Sequence, residues 1–131
     1  MAGAILEELC PALVEIVREF GWETIREERS ESFDNATVEL KCGNFAARVV
    51  RDRGLTSIDL SPKGKRRWFD LEIILAFIGE ISPSRNPKTL SKLLARNYVE
   101  VGRIMTRSTD QLEILEDQRA LKLVGKIFPP S

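Results

Sequence analysis

The chain predicts an α+β fold: an N-terminal helix, a four-stranded antiparallel meander, then three C-terminal helices packed on one sheet face. Three observations carry this. Apolar residues recur at helical spacing before Gly21 and again after Asp70. Between them, residues 36–60 alternate apolar and polar with the period of a strand. Two turns, Gly43-Asn44 and Asp52-Arg53-Gly54-Leu55, cut that stretch so that successive strands present their apolar sets to one face.

The elements follow in order. Ile5, Leu9, Leu13, Ile16, Val17 and Phe20 form the stripe of an amphipathic opening helix, which Gly21 ends as a C′ residue. Pro11 either kinks this helix or marks a fresh start after Cys10. Residues 22–32, rich in Glu and Arg, read as an edge strand, and Asp34-Asn35 punctuates a turn in which Phe33 either anchors the loop on the core or stands exposed as a contact. Strands follow over 36–42, 45–52 and 56–61. A two-residue Gly43-Asn44 loop pairs Cys42 with Phe45, Leu40 with Ala47 and Val38 with Val49, and sets Glu39 opposite Arg48. An even-length second loop sets Val49 against Ile58 and Ala47 against Leu60; an odd one sets Val49 against Ser57. After the basic connection 61–67, Asp70 caps a helix running to Ile81 that is apolar on most sides and lies across the sheet. Asn86 and Pro87 open a third helix with Leu90, Leu93, Leu94, Tyr98, Val101, Ile104 and Met105 as its stripe. Ser108 and Gln111 make a capping box for the last helix, with Leu112, Leu115, Val124 and Phe128 on its apolar side.

Length and composition bound the function. A chain of 131 residues is expected to form one domain, 1–131, able to bury a core without a metal or a disulfide. Cys10 and Cys42, with no CxxC spacing, read as buried free thiols of a reducing compartment. The N-terminus lacks a signal-peptide pattern and no apolar run is long enough to span a bilayer, so the expected location is cytoplasmic, with no membrane partner. There is no histidine. That removes the usual general base, the neutral-pH switch and the commonest metal ligand, and it excludes Ser-His-Asp and Cys-His sites. No cofactor or metal is expected. The net charge is zero, but residues 1–50 carry −5 and residues 51–131 carry +5. Such asymmetry compensates across one fold or steers a charged partner.

Each candidate site competes with a structural role. Lys63, Lys65, Arg66 and Arg67 beside Trp68 and Phe69 have the makings of a nucleic-acid patch, cations for phosphates and an aromatic for stacking. Against this, the two aromatics also suit the plug of an apolar helix, and a pI near 6.4 lacks the basic footprint of such binders. Asp52 and Asp59 suggest paired carboxylates, yet Asp-Arg-Gly is ordinary turn chemistry. Cys42 reads as an inert core thiol, since only Lys41 is at hand to activate it. Lys92, Arg96, Arg103 and Arg107, with Asn97 and Tyr98, solvate a helix face or dock an acidic protein patch. The sheet face bearing Thr37, Glu39, Lys41, Arg48, Val50, Ser57 and Asp59 is polar, either wet or open to a partner.

The run from Phe45 through Asp52-Arg53-Gly54 to Ile58-Asp59-Leu60-Ser61-Pro62, followed by Trp68-Phe69-Asp70-Leu71, resembles a family of uncharacterised small bacterial α+β proteins. Those proteins share an Asp-Arg-Gly turn and a Trp-Phe-Asp-Leu helix start. The architecture also resembles immunity proteins of bacterial polymorphic toxin systems, which implies neutralisation of a toxin by binding it. The likeness covers residues 35–80 and carries over no catalytic residue. The leading expectation is a non-enzymatic protein-binding domain acting by surface complementarity through Glu39, Arg48 and Asp59, with Arg53 at the rim. The alternatives are a nucleic-acid binder using Lys63, Lys65, Arg66, Arg67 and Trp68, and a carboxylate-based enzyme around Asp52 and Asp59. A homodimer through the Glu/Arg-rich edge strand or the terminal helices is also open.

Overall fold

A computed structural model describes residues 4–30, 35–63, 67–80, 86–107 and 109–127. Helices α1 (Ala4–Leu9) and α2 (Pro11–Phe20) lead into strands β1 (Glu23–Arg29), β2 (Ala36–Lys41), β3 (Phe45–Asp52), β4 (Leu55–Pro62) and β5 (Phe69–Asp70). Helices α3 (Leu71–Phe77), α4 (Pro87–Arg96), α5 (Tyr98–Arg107) and α6 (Thr109–Ile127) follow. The sheet is antiparallel throughout, in the order β1-β2-β3-β4-β5, which is the expected α+β class with one strand more.

The meander's register is the one its alternation dictates. Val38 faces Val49, Leu40 faces Ala47 and the Cys42 amide bonds to the Phe45 carbonyl at 2.9 Å. The second loop is even: Asp52 faces Leu55, so Val49 meets Ile58 and Ala47 meets Leu60. Arg53 and Gly54 both take positive φ, 53° and 82°, which closes a tight hairpin and leaves a non-glycine residue in the left-handed region.

One open boundary is decided and three others differ from expectation, each for a local reason. Proline at N1 starts a new helix after Cys10 (φ −152°), so the opening segment is two helices rather than one kinked helix. The Phe69-Asp70 pair, read as a helix start, also forms the short β5 by pairing with Leu60 and Asp59. Asp70 Oδ1 does cap α3, accepting from the Glu72 amide at 2.8 Å, but Gly79 at φ 88° terminates that helix early. The continuous stripe of the third helix is split at Asn97, whose side-chain Nδ2 donates to the Leu93 carbonyl at 2.9 Å. Phe33, Ile81, Ser108 and Phe128 lie outside the described residues.

The helices all serve one face. Ala36, Val38, Leu40, Phe45, Ala47, Val49, Ile58, Leu60 and Phe69 point into a core with Leu6, Leu13, Ile16 and Val17 of the first two helices. Leu71, Ile74, Leu75, Leu94, Val101, Met105 and Leu112 close it from the other helices. Burying each of the larger of these side chains contributes about 1.5–3 kcal/mol, which is why apolar periodicity decides this architecture. At one end of the core Phe20 stacks on Tyr98 at 3.6 Å, and Trp22 meets Phe45 edge-on at 6.0 Å. The Trp22 indole N–H donates to the Tyr98 hydroxyl at 2.8 Å. Tyr98 thus sides with the apolar stripe in which the sequence places it, and not with the polar helix face. Strand β1, with an irregularity between Thr24 and Arg26 and an almost wholly exposed surface, is the charged edge expected.

Candidate functional site

Opposite the helices, one register line crosses the whole sheet as a row of charges. Arg26 faces Glu39, Glu39 faces Arg48, Arg48 faces Asp59 and Asp59 faces Asp70. Their signs run plus, minus, plus, minus, minus. Arg48 has an acid on either side and chooses Asp59: its Nη2 and Nε donate to Asp59 Oδ2 at 2.9 and 3.3 Å. Glu39 turns to Arg26, 3.9 Å away, so the Glu39–Arg48 neighbours expected from the hairpin do not form the ion pair. Trp68 explains part of this choice. Its ring lies 4.5 Å from the Arg48 guanidinium and holds it towards the β4 side. Burial pushes the Asp59 carboxyl above its ordinary range; Arg48 opposes the shift, while the Asp70 and Glu116 charges add to it.

The next line along, towards the Gly43-Asn44 turn, contains Lys41, Ala46 and Ser61 as adjacent partners. Ala46 and Ser61 are too small to fill the space between Lys41 and Trp68. The result is a groove of about 530 Å³ on the open face, with Arg26 and Glu39 on the Lys41 side and Lys63 beside Trp68. The structure therefore brings Glu39, Arg48 and Asp59 into one row. Arg53 stands apart at the β3–β4 tip, where its amide donates to Asn35 Oδ1 at 3.0 Å.

The basic loop divides. Lys63 is exposed at the groove, and Lys65 and Arg66 lie outside the described residues. Arg67 faces α6: its Nη2 donates to Glu116 Oε1 at 2.8 Å and lies 3.4 Å from Asp117 Oδ1, with Glu113 3.9 Å from Nη1. That guanidinium is committed to acids of its own chain. Trp68 keeps its aromatic surface at the groove, whereas Phe69 is fully buried.

Other candidates resolve in favour of structural roles. Asp52 lies four positions along β3 from the residue facing Asp59, roughly 13 Å at the ordinary rise of a strand, so those carboxylates share no site. The acid beside Asp59 is Asp70, which the sequence marks only as a helix cap. Burial pushes the Cys42 thiol far up, the opposite of activation. Cys10 is 1% exposed and pairs with Ser91 Oγ at 3.4 Å. Arg96 and Arg103 on the C-terminal helices pair with Glu80 and Glu100. A larger cavity, about 1000 Å³, lies beside Leu55–Ile58, the part of β4 that β5 leaves uncovered, and its lining includes Leu9, Cys10, Pro87 and Leu90. Among the described residues no group of three or more His, Cys, Asp or Glu could hold a metal ion, and no helix is long and apolar enough to cross a membrane.

Compared with family models, with curated proteins and with solved structures, the chain matches none.

Proposed function

We propose that this chain is a non-enzymatic protein-binding domain whose helix-free sheet face is the contact surface. The observation that supports it is the unbroken charge row from Arg26 to Asp70, framed by a half-exposed tryptophan. Such a row places alternating potentials on a rigid, sheet-borne surface, and complementary potentials govern encounter rate and partner choice. Aromatic and arginine side chains side by side, here Trp68 and Arg48, are the types that dominate binding energy at protein contacts. In its immunity-like form, the partner is a toxin domain that this face covers sterically and electrostatically. The nucleic-acid alternative retains Lys63 and Trp68 but is weakened by the commitment of Arg67 to α6.

The test is affinity capture from the source cell's lysate, with and without nuclease, by wild type and by a triple variant. Glu39→Gln, Arg48→Gln and Asp59→Asn together erase the charges and leave polar side chains in their place. A stoichiometric partner that survives nuclease and is lost by the folded triple variant is the expected result. Retention of that partner by the variant rejects this face, and nuclease-sensitive capture favours the nucleic-acid reading.

A further inference from the structure

The groove on the open face has a charge and a shape that specify its occupant more narrowly than the row does. Its cations are Arg26, Lys41 and Lys63, and its carboxylate is Glu39, already within 3.9 Å of Arg26. Lys41 and Lys63 are exposed, and among the described residues neither has an acidic partner. The floor is Ala46 and Ser61, and one wall is the Trp68 ring. That ring lines the groove, while Arg48, pressed on it at 4.5 Å, does not. A space of about 530 Å³ is of the size that takes a small ligand or a few side chains of a partner. Lys41 and Ser61 sit on strands two apart, about 10 Å at ordinary strand spacing, and Lys63 lies two residues beyond Ser61, which sets the two lysines on the order of 12 Å apart, a distance that four residues of extended chain cover.

Resting on the reading of this face as a protein contact, we propose that the groove receives an acidic segment of the partner. Two carboxylates four residues apart, on one face of an extended segment, pair with Lys41 and Lys63, and an aromatic side chain midway between them on that face packs over Ala46 against Trp68. Phosphate-rich strands fit less well. A nucleic-acid backbone needs a continuous cationic track, and here Glu39 lines the groove with Asp59 and Asp70 in the next row.

The probe is a short labelled peptide with two glutamates four positions apart and a phenylalanine midway between them. Anisotropy titrations compare it with a peptide carrying lysines in place of the glutamates, and with a single-stranded oligothymidylate. The acidic peptide binds wild type, and salt weakens the binding. Lys41→Glu with Lys63→Glu lowers its affinity by about tenfold or more. Ala46→Leu, which fills the floor without altering charge, weakens it as well; circular dichroism checks that both variants fold. No binding of the acidic peptide, undiminished binding to the charge-reversed variant, or tighter binding of the oligothymidylate overturns the proposal. Failure here is separable from failure of the protein-contact reading. A partner lost by the Glu39/Arg48/Asp59 variant with no affinity for the acidic peptide leaves the face standing and removes the groove's assignment.

Discussion

Glu8 carries a structural role that no spacing rule announces. It reaches from α1 across β2 to two arginines, Arg29 on β1 and Arg51 on β3, which both face Ala36 in the register. Those hydrogen bonds hold its carboxyl at about 2, against an ordinary 4.5. The lowered value means that the folded state binds this proton less readily than the unfolded chain. Its contribution to stability is therefore complete above 4.5 and is lost as pH falls towards about 2. In denaturant titrations, the stability difference between wild type and Glu8→Gln should be constant near neutrality and shrink to nothing towards pH 2; a gap that does not vary with pH counts against the pairing. Asp59 has the opposite sign: its raised value makes the ionised form a cost that is relieved on acidification. The two cysteines make a simpler case. Both are buried, and the Cys42 thiolate is strongly disfavoured. A small thiol reagent should leave both unmodified in the native protein and label both after unfolding; rapid native labelling of Cys42 refutes its burial.

At the scale of elements, the sequence discloses what two-residue periodicity can encode. One-residue slips would turn Val38, Leu40, Ala47 and Val49 out to solvent, so the register of β2, β3 and β4 is strongly determined. Where a boundary depends on one hydrogen bond, the pattern is silent. The apolar stripe from Leu90 to Met105 runs through Asn97 without a mark, yet the chain breaks there. Strand β5 is two residues long and carries no periodicity to read. Two element-level changes test the local account. Arg53 occupies φ 53°, which costs a non-glycine residue about 1 kcal/mol. Arg53→Gly should thus raise the melting temperature slightly or leave it unchanged, whereas a marked fall would contradict a strained turn. Asn86 Oδ1 accepts from the Lys88 amide at 2.8 Å, so Asn86→Ala should destabilise by about 1 kcal/mol in chemical denaturation.

For the whole molecule, the sequence separates a helix-facing side of the sheet from a polar one, and it names Glu39, Arg48 and Asp59 on the latter. It does not disclose which acid Arg48 selects, because both are its register neighbours and a residue remote in sequence order, Trp68, bears on the outcome. Nor does it show the groove, which exists because two small residues on different strands fall side by side. The fate of Arg67 is hidden for the same reason: its acids are about fifty positions away, on α6. That long helix packs on α3 and α5, with Leu112 in the core and Arg67 tying its flank to the approach to β5. Arg67→Ala should speed amide hydrogen exchange in α6 while leaving the β2–β3–β4 amides protected; equal protection in both proteins would mean the tie contributes nothing. The two tryptophans lie on opposite sides of the sheet. Trp22 is 4% exposed with its indole bonded to Tyr98, and Trp68 is half-exposed under a guanidinium. Intrinsic emission thus has one reporter per layer. A soluble quencher reaches Trp68 alone while the protein is folded, so Trp22→Phe yields a label-free optical gauge of the open face, and Trp68→Phe yields one of the core.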